Sequence, residues 1–132
     1  MPVGTYPIED LAVWLDGELP DGINVYGHAA DIGKLPALVM APGNPAIALR
    51  TMAGGNLTLA WGIDATLVVS RSQTKYGTRA LVDMWRQVAV TVQRYSETVT
   101  VMTLEEIGEV EWSGGTAMAG TMPLVLEQNE GT

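Results

Sequence analysis

The chain has no cysteine, no phenylalanine and one histidine. The missing thiols exclude disulfide staples, a thiolate zinc site and a cysteine nucleophile, and they fit assembly in a reducing cytoplasm. With His28 alone, a metal site would lack the further imidazole ligands such sites draw on. Basic residues are also scarce: seven Lys and Arg stand against fifteen Asp and Glu, for a net charge of −8. That balance argues against a protein held to nucleic acid by phosphate contacts. Long apolar runs are absent too. Gly, Pro, Asp or Thr interrupts every stretch before the ~18 residues needed to cross a bilayer. Residues 1–11 have neither the basic start nor the apolar run of a signal peptide. The expectation is a soluble chain with no membrane partner, not exported by that route.

What remains is a chain of 132 residues, 47% apolar, sized for one domain over 1–132. Its core must rest on Leu, Val, Ile, Met and four Trp. The charge is distributed unevenly. Residues 71–95 hold Arg71, Lys75, Arg79, Arg86 and Arg94 against Asp83, whereas no basic residue follows Arg94. A basic helix on an acidic body suits self-association, although a solvated helix face has the same composition.

Periodicity gives the elements. Residues 7–18 read as a helix: Thr5 as cap, Pro7 in the first turn, Glu9 and Asp10 near the positive end of the dipole, and a stripe of Ile8, Leu11, Ala12 and Leu15. Gly17 and Pro20 end it, and Asp21-Gly22 signals a turn. Short strands are expected at 23–26, 38–41 and 46–52, with a loop at 27–34 and a turn at Pro42-Gly43-Asn44-Pro45. Gly54-Gly55-Asn56 reads as a hairpin turn. After it, Leu57, Leu59, Trp61, Ile63, Ala65, Leu67 and Val69 share one parity, predicting a strand with one buried face and a bend or bulge at Gly62. Residues 74–95 read as the main helix, with Ala80, Leu81, Met84, Trp85, Val88, Val92 and Tyr95 inward and the basic residues outward. A strand at 99–104, a loop or irregular hairpin at 105–115, and a final strand at 117–126 follow. Pro123 marks that strand as an edge or a bulge, and 127–132 are expected to fray. The sum is an α+β fold: a mostly antiparallel sheet with an N-terminal helix and one long helix packed on it.

Motifs of chemistry are sparse. His28 and Asp31 lie close in sequence, but no nucleophile-elbow pattern accompanies them. Glu105, Glu106, Glu109 and Glu111 cluster without the spacing of a calcium loop. They read as a solvated acidic segment, or as a wall that repels DNA phosphates. The Gly pairs at 54–55 and 114–115 match no phosphate cradle and read as turns. Trp14, Trp61 and Trp85 belong to the core or its rim; Trp112 is either an exposed interface anchor or a core residue.

In element order, the chain resembles the tail-terminator (tail-completion) proteins of siphophages, including those of actinobacterial phages. The features that carry the resemblance are the N-terminal helix, Val25-Tyr26-Gly27-His28, the run from Pro36-Ala37-Leu38-Val39-Met40-Ala41 to Pro42, the strand feeding a helix near Arg71-Ser72-Gln73, and the closing strand. The resemblance implies a virion protein without catalytic residues, metal or cofactor. It implies a hexameric ring of the chain with itself, which caps the tail tube, stops its polymerisation and meets a neck or head-completion protein. DNA would only pass through its lumen. Candidate contact residues are His28, Asp31, Lys34, Asn44, Arg71, Lys75, Arg79, Arg86, Glu105, Glu106, Glu109 and Trp112. The loops 27–34, 42–45 and 105–115 are candidates for the ring's two faces, and the basic helix face for the subunit interface. A head–tail stopper or tube-related protein is the alternative, and a small hydrolase or isomerase using His28 a more distant one.

Overall fold

The alternation over 57–70 becomes the strand on which the rest is built. The computed structural model describes residues 7–19, 22–26, 36–53, 56–70, 74–95, 98–101, 103–112 and 115–129. Their order is α1 (Pro7–Glu18), β1 (Asn24–Tyr26), β2 (Ala37–Ala53), β3 (Asn56–Ser70), α2 (Thr74–Val92), β4 (Thr98–Val101), β5 (Glu105–Trp112) and β6 (Gly115–Asn129). One six-stranded sheet runs β1-β2-β3-β6-β4, with β5 also on β6. Every pairing is antiparallel except β1 with β2. At the head of that parallel pair, the backbone and side-chain N–H groups of Asn24 both donate to the Pro36 carbonyl, at 3.0 and 3.1 Å. This is the expected α+β architecture.

Both helices cover one sheet face. The α1 stripe of Ile8, Leu11, Ala12 and Leu15 is buried as its spacing requires. It meets Leu38, Met40, Ile63, Ala65, Leu67, Leu124 and Leu126 from the strands and Leu81, Met84, Val88 and Val92 from α2 in one cluster. Trp14, Trp61 and Trp85 pack at its rim, and Trp14 meets Tyr95 edge-on at 5.0 Å. Two details of α2 differ from the helical wheel. Ala80 is exposed, and Thr91 is buried because its hydroxyl donates to the Gln87 carbonyl at 2.7 Å, which satisfies the polar group. The helix ends at Val92 and a turn carries the chain to Tyr95.

Three expectations are corrected and one pair of alternatives is decided. The short strands at 38–41 and 46–52 are one strand, and Pro42-Gly43-Asn44-Pro45 is a bulge inside it rather than a turn. Pro42 pairs with Ile63 and Ile47 with Trp61, so Gly43, Asn44, Pro45 and Ala46 stand opposite Gly62 alone. A Cβ on Gly43 would lie 3.0 Å from the Gly62 carbonyl carbon, so two glycine backbones touch here. Segment 105–115 is the irregular hairpin and not a loop: β5 pairs with β6 from Trp112↔Gly115, with a register shift between Glu105 and Gly108 and Glu106 at φ 54°. Finally, β6 is central, so Pro123 is not at an edge. β5 pairs with β6 as far as Thr121 and β4 begins at Leu124. Pro123 falls in the gap between them, where its missing N–H interrupts no ladder on that side. Residues 127–129, expected to fray, belong to β6 and pair with β3. The Thr5 cap, Pro20, Asp21, the 27–34 loop, Gly54, Gly55 and Gly114 lie outside the described residues.

Gly77 shows how closely α2 meets the sheet. A Cβ there would come within 2.6 Å of the Met118 Cγ. In a free helix, Gly→Ala gains about 1 kcal/mol. Overpacking a filled core loses ~1–3 kcal/mol. Gly77→Ala is therefore expected to lower stability on balance, measurable as a reduced denaturation midpoint. An equal or raised midpoint would show that Met118 repacks freely.

Candidate functional site

The strands outrun the helices. Fifteen to seventeen residues of β2, β3 and β6 extend about 50 Å at ~3.3 Å each. The 19 residues of α2 span only about 28 Å at ~1.5 Å each. Among the described residues no helix covers the far half of the β2–β3 ribbon, and Ile47 and Leu49 are about half exposed on it. β2 meets β1 only at Ala37, Leu38 and Val39, so among the described residues the rest of its outer edge has no strand partner.

At the bulge, Gly43, Asn44, Ala48, Ala60, Gly62, Asp64, Pro123 and Val125 line a half-open cavity of about 350 Å³. Its lining is mostly apolar, with the exposed Asn44 and Asp64 as polar groups at the mouth. One carboxylate and one carboxamide make no acid–base pair. Among the described residues, no three His, Asp or Glu side chains are placed to hold a metal, and no helix is long and apolar enough to cross a membrane.

The charged candidates occupy two separate surfaces. Arg79 and Arg86, with Arg94, are exposed on the side of α2 opposite Leu81, Met84, Val88 and Val92, which face the sheet. Arg86 lies 3.7 Å from Asp83 one turn back, a solvated pair of small energetic weight. Lys75 is in the first turn of the same helix. Glu105, Glu106 and Glu109 are exposed on β5, as is Glu111; Glu105 accepts a hydrogen bond from the Thr103 hydroxyl at 2.8 Å. Trp112 closes β5 opposite Gly115. Asn44 lies apart from both surfaces, at the bulge. His28, Asp31, Lys34 and Arg71 lie outside the described residues.

Charge alone overlooks the exposed apolar residues within these two surfaces. Val90 is 66% exposed between Arg86 and Arg94, and Ile107 and Val110 are 40% and 38% exposed among the glutamates. The signal for Val90 was present in its spacing, four residues from each arginine. For Ile107 and Val110 no such signal existed, because their exposure depends on β5 lying at the sheet margin. No family model and no curated protein matches the chain.

Proposed function

We propose that the protein is a structural virion subunit, a tail terminator that forms a six-membered ring on the tail tube, stops its growth and joins it to the head or neck. The observation that carries this reading is the unequal reach of the two layers. Strands of about 50 Å under a helix of about 28 Å leave a ribbon, a sheet edge and apolar side chains open to neighbours. Such a subunit is suited to contacts between copies, and the described lining of the half-open cavity at the bulge holds no acid–base pair. A heterologous interface closes a ring when its rotation closes. One ring face would match the tube subunit and the other would not, so tube growth ends there.

Mixing the protein with purified tail tubes tests this. Electron microscopy is expected to find one added ring at tube ends and no tube growth beyond it. Binding to the portal side of heads instead would identify a stopper. Failure to bind either particle, together with turnover of a small molecule lost in His28→Ala, would replace the reading with an enzyme.

A further inference from the structure

We infer that the outer row of α2 and the margin strand β5 are the two halves of one interface between copies of this chain. The inference rests on the ring-forming reading above. It places the β5 glutamates at the subunit contact rather than on a channel wall.

Each surface combines an apolar centre with charge of one dominant sign. Arg86 and Val90 on α2, and Arg94 in the turn that follows it, stand at intervals of four residues, all exposed. On β5, Glu106 and Glu111 stand on either side of the partly exposed Ile107, which shares its sheet face with Glu111, while Val110 turns to the other face. The two rows are comparable in length. From Arg86 to Val92 the helix rises about 9 Å before the turn that holds Arg94, and the five steps from Glu106 to Glu111, shortened by the register shift, span at most about 17 Å. Extended arginine side chains cover the difference.

The two surfaces cannot meet within one copy. Leu81, Met84, Val88 and Val92 turn the opposite side of α2 onto the sheet, so its arginine row faces away from the layer that contains β5. A second copy satisfies both: its β5 lies against the first copy's α2 and leaves its own α2 for a third. Beside the row, Glu18, Arg86, Gln87, Val90, Thr91 and Arg94 line an open groove of about 370 Å³, which gives a strand's apolar side chain a seat. The joint is head-to-tail, the kind that closes into rings.

Charge exchange tests the joint. One variant carries Arg86→Glu and Arg94→Glu, a second carries Glu106→Lys and Glu111→Lys, and a third carries all four. All four side chains are exposed, and circular dichroism checks that each variant folds. Sedimentation at low salt, up to millimolar protein, should show each pairwise variant associating on the order of tenfold or more weakly than the native chain. An equimolar mixture of the two should recover association, and so should the fourfold variant alone. Added salt should weaken the native association. A fourfold variant no stronger than the pairwise ones, or a native chain that stays monomeric throughout, overturns the inference. If the recovery pattern holds but the native protein does not cap tubes, the interface stands and the terminator reading falls.

Discussion

Leu67→Ala is expected to lower unfolding free energy by about 4 kcal/mol, toward the upper end of the ~2–5 kcal/mol measured for leucine truncations in cores. The site explains the high figure. Leu67 is fully buried in β3, a central strand. Its cross-strand partners are Leu38 on β2 and Gly120 on β6. Gly120 has no side chain to swing into the space. A Cβ on it would already meet the Leu104 Cδ1 at 2.8 Å, so the surroundings are filled from another direction and collapse poorly. The void left by the missing carbons therefore persists. A domain of this size has roughly 5–15 kcal/mol in all, so the variant would approach the limit of cooperative folding. Urea denaturation checks it: the midpoint should fall while the slope is unchanged. A loss below ~1.5 kcal/mol would mean that Leu38 or Leu104 moves in, and that the β3 interior is less tightly determined than its burial implies.

The parts legible in the sequence are those where one local pattern meets one local answer. Ile8, Leu11, Ala12 and Leu15 could only be one face of a helix. The odd residues from Leu57 to Val69 could only be one face of a strand. Where the reading failed, tertiary pairing overrode local chemistry. Pro42-Gly43-Asn44-Pro45 has the composition of a reversal, yet β3 continues past it and pairs on both sides, so the surplus residues bulge. Four glutamates and Gly108 depress strand propensity in 105–112, and pairing with β6 supplies what propensity lacks. Pro123 suggested an edge because the change of neighbour from β5 to β4 is a property of the sheet order. The charged surfaces divide in the same way. The basic row of α2 follows from counting around a helix. The placement of the glutamates on a margin strand, with Ile107 and Val110 among them, depends on which strands lie side by side.

Removing Asn44, Pro45 and Ala46 together is expected to preserve the fold and make the protein aggregate on the order of tenfold faster, through an edge that the bulge now interrupts. Four residues of β2 stand opposite Gly62, so deleting three leaves Gly43 opposite Gly62 between the existing pairs Pro42↔Ile63 and Ile47↔Trp61. An odd surplus is removed from an odd offset, and Ile47 and Leu49 keep the sheet face they already occupy. The ladder becomes continuous from Ala37 to Leu49, short of the second register shift between Leu49 and Thr51, and the half-open cavity closes, so stability should change by no more than about 1 kcal/mol. The edge changes more. Beyond its short pairing with β1 and as far as Leu49, β2 would become a regular strand with no outer partner among the described residues, carrying the half-exposed Ile47 and Leu49. A long flat apolar edge recruits further strands, and a bulge prevents this by twisting the edge and breaking its register. Circular dichroism and urea unfolding report the first half of the prediction, and light scattering against concentration the second. A deletion variant that folds and remains as dispersed as the native chain would remove the protective role. The bulge would then be kept for the surface it builds, with Asn44 and Asp64 at the cavity mouth as the residues to change next.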